Sequence, residues 1–325
     1  MTHRRFTLFG LCAAVIGLSA VSLMVGKVWI SPSVWLQPHN PLGAILFDLR
    51  LPRTLLAVII GAALGMSGAA MQGYTRNPLA DPGALGVASM AAFGAVLTLY
   101  FGAGAQQPWI IALGAMIGAL SAVGLLIALA GEGSSLVAFV LSGVILQTLA
   151  AAGVALALSL APNPWAKDEI ITWLMGALTD RSMGDVTLAG PLILAGMILL
   201  VTLAPALDAL TLGETGARSL GINLGQTRLI LALGVALTAG ASVAVTGVIG
   251  FVGLIVPHLL RPLVGARPGG LLIPSALGGA VLVVAADIAV RLTPGAAEVK
   301  LGVAMALLGG PFFLALLLSM RRRLG

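Results

Sequence analysis

The sequence predicts an all-α, polytopic membrane protein with about ten transmembrane helices and both termini in the cytoplasm. Three observations predict it. Only 9% of the 325 residues are charged and 59% are hydrophobic, whereas a soluble domain carries roughly a quarter charged residues to face water. The mean hydropathy is +1.09. The apolar residues also run continuously, in stretches near the roughly 20 residues that cross a bilayer as a helix, without the alternation of an outer-membrane strand. The 43 glycines fit the same class, because small residues let membrane helices approach backbone to backbone. A cytoplasmic enzyme, a nucleic-acid binder and a disordered chain are excluded, and residues 1–325 read as one transmembrane domain.

The spans follow in order. The first, Phe6 to Val25, comes after Arg4 and Arg5. It is too long for the 7–15-residue apolar core of a signal peptide, so it reads as a retained helix with its N-terminus inside. Further spans are predicted at Leu55–Met71, Ala84–Phe101, Ile110–Ala130, Leu136–Leu160, Leu188–Leu203, Leu229–Val245, Ile249–Leu263, Leu271–Val290 and Leu301–Ser319. Ile170–Leu178 is apolar but too short to cross. It reads as a surface or re-entrant helix, which must be covered by protein.

Cations test the orientation. Ten fall inside: Arg4, Arg5, Arg76, Arg218, Arg228, Arg261, Arg267, Arg321, Arg322 and Arg323. Seven fall outside: Lys27, Arg50, Arg53, Lys167, Arg181, Arg291 and Lys300. The bias follows the positive-inside rule, and the outer cations call for reasons of their own. The net charge of +6 is read as cytoplasmic loops rich in Lys and Arg. The single cysteine, Cys12, permits no internal disulfide and no cysteine metal site.

No constellation for chemistry is present. Gly26-Lys27 lacks the upstream glycine of a phosphate-binding loop and is followed by Val28, so the chain is not expected to hydrolyse ATP. No catalytic set and no metal site are expected. His3 and His39 fall in polar ends or loops, and His258 follows Pro257 near a helix end. The longest polar stretch on the inner side is 208–228, DALTLGETGARSLGINLGQTR, broken by glycines at 213, 216, 221 and 225. It reads as two short helices around a turn. Its length exceeds what a connection needs and suggests a docking element for a cytoplasmic partner. Between spans two and three, residues 72–83 carry two prolines and read as a structured turn, in which Arg76 and Asp81 could pair or cap helices. Asp287 and Arg291 are spaced i, i+4 and share a helix face, which predicts an intramembrane pair.

Several of these segments together resemble a known family. Arg50-Leu51-Pro52-Arg53, GAALGMSGAAMQ (61–72), RNPLADPGALGV (76–87), GETGARSLG (213–221), GVIGFVGLIVPHLLR (247–261) and AADIAVRL (285–292) resemble, in the same order, the importer permeases for iron–siderophores, haem and vitamin B12. WISP–W at 29–35 fits too, and is shared with vitamin B12 permeases. The resemblance implies a permease subunit of a type II ABC importer in the bacterial inner membrane. It implies a second permease copy, two ATP-binding subunits that hold ATP and Mg, and a periplasmic substrate-binding protein. This chain itself would hold no cofactor, touch membrane lipid and bind no nucleic acid.

The resemblance also assigns roles to residues. Arg50, Arg53 and Arg291 would face the periplasm and meet acidic residues of the binding protein. Leu212, Gly213, Glu214, Gly216, Ala217, Arg218, Leu220 and Gly221, within 208–228, would form the coupling helices in the ATPase groove. Asn77 and Leu79 would form one cytoplasmic gate, and Ser134, Ser135 and Leu136 the other, although Glu132-Gly133-Ser134-Ser135 lacks the basic residues of relatives. The cargo expected is a metal chelate, a ferric siderophore first, with haem and cobalamin as alternatives. ATP binding would move the coupling helices, and the gates would alternate with the periplasmic opening. An ion-coupled secondary transporter is the competing class. It requires carboxylates or histidines near the bilayer centre, and Asp287 is the one strong candidate.

Overall fold

The computed structural model describes residues 2–36, 41–103, 107, 109–131, 135–294 and 298–324. Among the described residues it is helical throughout, with no strand. Eight helices are long and apolar enough to cross a membrane. They are α1 (Thr2–Met24), α2 (Leu42–Thr75), α4 (Trp109–Ala130), α5 (Leu136–Ser159), α7 (Met183–Thr202), α10 (Leu224–Thr246), α12 (Pro268–Arg291) and α13 (Leu301–Leu324). Two shorter apolar helices, α3 (Val87–Tyr100) and α11 (Val252–Val264), occupy the places of the third and eighth predicted spans. The remaining helices are α6 (Pro164–Leu174), α8 (Ala204–Ala209) and α9 (Gly213–Ser219).

Boundaries move where local chemistry decides them. α7 starts at Met183, five residues before the predicted Leu188, because the Ser182 amide donates to the Asp185 carboxylate at 2.8 Å and closes the first turn. α10 starts at Leu224, because the Asn223 side chain accepts from the Gln226 amide at 3.0 Å. Residues 224–228 of the polar stretch therefore belong to a membrane helix. α11 loses its first turn because Gly247 (φ 72°) and Phe251 (φ 67°) are left-handed, a region where an aromatic residue is a marked outlier. Residues 170–174 of the apolar Ile170–Leu178 segment form the end of α6, and 175–178 leave the helix. Its Ile170 is fully buried against Val96, Leu99 and Ala157.

The centre is the antiparallel pair α2 and α12. Arg53 meets Asp287, Gly61 meets Gly279, and Gly65 meets Ser275, so the register runs in opposite directions along the two helices. A Cβ on Gly65 would overlap the Ser275 carbonyl, which explains why the second motif is so rich in small residues. Gly68 makes the same approach to Gly253 at the start of α11. α2 and α10 are mostly buried inside the bundle, whereas α1 and α13 present their apolar faces outward. Cys12 lies on that outer face of α1.

Candidate functional site

The predicted site residues collect at opposite ends of α2. About 21 residues separate Arg53 from Tyr74, roughly 32 Å at 1.5 Å per residue.

At the first end a buried charge network forms. Asp287, fully buried, accepts from Arg53 Nε at 2.9 Å and from Arg291 Nε at 2.9 Å. The Asp287–Arg291 ion pair lies one helical turn apart, as the spacing predicts. Arg291 also donates to the Ser22 carbonyl at 2.8 Å and to its hydroxyl at 2.6 Å. The second side of Arg53 meets Glu298 at 2.9 Å. Arg50 ends a π-helical turn, Ile45–Arg50. It donates to the carbonyls of Leu23 at 3.0 Å and Met24 at 2.7 Å, and to that of Val28. Those are carbonyls at the C-terminal end of α1 and just beyond it, and a guanidinium satisfies them and complements the helix dipole. All three predicted docking arginines thus make strong internal bonds. Glu298 and Ser22, which complete the network, carry no motif of their own and were not legible in the sequence.

A cavity of 290 Å³ opens at this end, lined by Lys27, Arg50, Arg53, Arg181, Arg291 and two carboxylates, Asp180 and Glu298. Arg181 reaches it from the turn between α6 and α7, directly after Asp180, whose φ is 58°. Burial holds the Arg181 guanidinium below its ordinary pKa, and Asp185 and Asp180 oppose that shift.

At the second end, the segment 208–228 takes in the last residues of α8, a 3₁₀ turn at Leu210–Leu212, α9 and the first turn of α10. Gly213 (φ 88°) reverses the chain between them, as a residue without Cβ can. Leu212 and Leu220 are exposed, Ala217 is fully buried, Gly216 lies within α9 and Gly221 follows its end. Glu214 joins three elements, α9, α5 and α10. Its Oε1 accepts from the Leu136 amide at 3.0 Å and lies 3.7 Å from Arg228 of α10. Its Oε2 is 4.0 Å from Arg218, one turn on. Arg228 Nε donates to the Tyr74 hydroxyl at 2.8 Å, and the Tyr74 ring packs edge-on against Phe139 at 5.8 Å. The residues expected to couple to an ATPase are therefore brought together with Leu136 and with the end of α2.

The residues expected to form the gates lie beside this cluster. Asn77 Oδ1 accepts from the Leu79 amide at 2.9 Å and fixes the turn that leaves α2. Arg76 adopts φ 52° there. Asp81 accepts from the Gly83 amide at 2.8 Å, so it caps the next turn. Burial pushes its carboxyl pKa up, against that hydrogen bond. Ser135 caps α5 by accepting from the Ala138 amide at 3.3 Å. Ser134, Glu132, Gly133 and His39 lie outside the described residues. Asp208 binds Arg267 at 2.6 Å and the Gly269 amide at 2.8 Å, tying the start of the segment to α12. Gln72 joins α2 to α11 through Gly253, Leu254 and Arg261. His258 sits inside α11, with its ring edge-on to Phe312 at 6.0 Å. Tyr74 and Arg228 are the residues missed here. The polar stretch ended on Arg228, but nothing in sequence spacing connects it to a tyrosine 154 positions earlier.

Between the two ends a cavity of 440 Å³ is lined chiefly by small apolar residues of α3, α5 and α10–α11, with Asp81, Ser89 and Gln147 as its polar members.

Residues 14–319 match the FecCD transport family. The chain is similar to the hemin transport system permease protein HmuU of Yersinia pestis, 38% identical over 94% of this chain and 91% of that one. It is similar to the vitamin B12 import system permease protein BtuC of Escherichia coli O9:H4 (strain HS), 37% identical over 96% and 95%. Its fold matches a solved inward-facing metal-chelate type ABC transporter at TM-score 0.87, with 31% identity, covering 96% of this chain and 98% of that chain. The chain belongs to the FecCD transport family and is a permease subunit of an ABC importer, not an enzyme, with ATP hydrolysed by separate subunits.

Proposed function

We propose that this permease carries a metal chelate inward across the bacterial inner membrane, and that the chelate is a metal tetrapyrrole, haem or cobalamin. The observation that carries this reading is the cargo named for its relatives, hemin for one and vitamin B12 for the other, at near-complete coverage of both chains. The sequence alone put a ferric siderophore first, and that cargo becomes the second reading, because the family resemblance rests on permeases of all three.

In this reading two copies pair, with the small-residue cavity beside the path between them. The Glu214 end faces the cytoplasm and receives two ATP-binding subunits on α8 and α9. The Arg53 end faces the periplasm and receives a binding protein through its acidic residues. The cluster around Glu214 supports the coupling role, since one carboxylate holds α9, α10 and the first amide of α5 together. A movement imposed on α9 is then delivered to Leu136 without an intervening loop.

Transport assays test the cargo. The permease is reconstituted with its ATP-binding subunits and binding protein, and uptake of haem, cyanocobalamin and ferrichrome is compared. ATP-dependent accumulation of haem or cyanocobalamin is expected. Accumulation of ferrichrome alone would overturn the tetrapyrrole assignment.

A further inference from the structure

We infer that the cavity between the starts of α4 and α7 holds the headgroup of a zwitterionic phospholipid, its phosphate on Arg181 and its primary ammonium on Asp185. The inference concerns the lipid around the permease and is independent of the cargo.

The cavity has a volume of 480 Å³. Trp109, the first residue of α4, lines one side, and Arg181, Asp185 and Thr187, at the start of α7, line the other. Ala244, buried at the end of α10, lies between them. Arg181 and Asp185 thus face one space, yet among the described residues no carboxylate forms an ion pair with Arg181. Asp185 accepts from the Ser182 amide at 2.8 Å and from its hydroxyl at 3.1 Å, both through Oδ2, so Oδ1 is left for another donor. An anion in this space would satisfy Arg181 and be repelled by Asp185. A cation would do the reverse. A ligand that carries both charges compensates both side chains, each of which is partly withdrawn from water. The guanidinium fork matches phosphate oxygens. The carboxylate accepts N–H donors, which a primary ammonium has and a quaternary one lacks.

Position makes the ligand a lipid. α4 and α7 are both long and apolar enough to cross a membrane, and both begin at this cavity. Helix starts of that kind lie at the membrane surface, where tryptophan is enriched. Trp109, half exposed, and Trp173 both line the cavity. Apolar stripes leave it along each helix. Trp109 is followed at i+4 and i+8 by exposed Leu113 and Ile117, and Thr187 at i+7 and i+11 by exposed Leu194 and Ile198. At 1.5 Å per residue the stripes reach roughly 12 and 17 Å from the cavity toward the bilayer centre. The polar space and the two stripes are therefore continuous, as a headgroup and its acyl chains require.

Native mass spectrometry of the full-length permease tests this. The protein is offered phosphatidylethanolamine, phosphatidylglycerol and phosphatidylcholine with the same acyl chains. Wild type should retain phosphatidylethanolamine at least fivefold over the other two. Arg181→Gln should lower that retention at least fivefold with its size-exclusion profile unchanged. Asp185→Asn keeps an oxygen for the Ser182 cap and should invert the order of phosphatidylethanolamine and phosphatidylglycerol, a change that a loosened fold would not produce. If that variant does not fold, the fall in Arg181→Gln decides. Lys167→Gln, an exposed cation outside the cavity, should match wild type. Phosphatidylglycerol or phosphatidylcholine retained by wild type as well as phosphatidylethanolamine would overturn the assignment. So would undiminished retention in Arg181→Gln, or an equal loss in Lys167→Gln. Displacement of the lipid by equimolar soluble glycerophosphoethanolamine would give the cavity to a free zwitterion and overturn the lipid.

Discussion

The Glu214 carboxylate accepts a hydrogen bond from the Leu136 backbone amide at 3.0 Å, across 78 positions of chain. The donor opens α5 and the acceptor belongs to the short helix α9. The same oxygen lies 3.7 Å from Arg228, whose Nε holds the Tyr74 hydroxyl near the end of α2. A short element with little core of its own is thus joined to α5 by a charge-assisted hydrogen bond, which is stronger than a neutral one, to α10 by an ion pair, and through Arg228 to α2.

Replacing Glu214 with alanine should cut ATP-dependent uptake by tenfold or more while the chain still inserts and folds. A hydrogen bond to a charged group contributes about 1.5–3 kcal/mol, and each 1.4 kcal/mol is about tenfold in an equilibrium. Glu214→Gln keeps an acceptor for the Leu136 amide and should be milder. Initial uptake rates in proteoliposomes, normalised to inserted protein, measure the difference. Equal and normal rates for both variants would reduce this segment to a connection.

The Asp287 network gives a stability prediction. Asp287→Asn leaves Arg53 and Arg291 buried with half their partners gone, and breaking a buried pair costs about 3–5 kcal/mol. The purified variant should unfold at a clearly lower temperature, followed by loss of the monodisperse peak after heating. A double change to Asp287→Leu with Arg291→Leu should recover part of the loss. It removes both buried charges of that pair, though it leaves Arg53 with Glu298 alone.

Gly65→Val should be worse than either charge variant. The added side chain has to displace the Ser275 backbone, which a flexible side chain cannot absorb. Failure to accumulate as a folded, monodisperse species is expected. Gly10→Val is the control, because nothing lies within 4 Å of a Cβ at Gly10. Normal accumulation of the Gly65 variant would mean that α2 and α12 can separate without loss.

Tyr74→Phe removes only the hydroxyl that Arg228 uses. If that bond steadies the junction of α2 with α10, uptake should fall severalfold, with the unfolding temperature lowered by a few degrees at most, since a single hydrogen bond contributes about 0.5–1.5 kcal/mol. An unchanged uptake rate would restrict the relay to Glu214 and Leu136.

The sequence by itself determined the class of the molecule, the number of apolar segments and the permease family. Those properties rest on composition, run length and ordered local motifs. It also gave the Asp287–Arg291 pair, because i, i+4 spacing on a helix is a local geometric fact. Tertiary structure alone decided what each functional side chain touches. Arg50 was counted among the cations expected outside, but its role on the carbonyls at the end of α1 depends on how two helices meet. Glu298 and Ser22 had no signal, since their partners are far away in sequence. Arg181 was counted among the cations expected outside with no role, and only the packing of the α6–α7 turn against α2 and α12 puts it in a cavity with Arg53 and Arg291. Local pattern encodes periodicity and burial within one helix. Contacts between helices depend on register and crossing geometry, and these are set by the small-residue approaches at Gly61, Gly65 and Gly279, whose partners no single segment reveals.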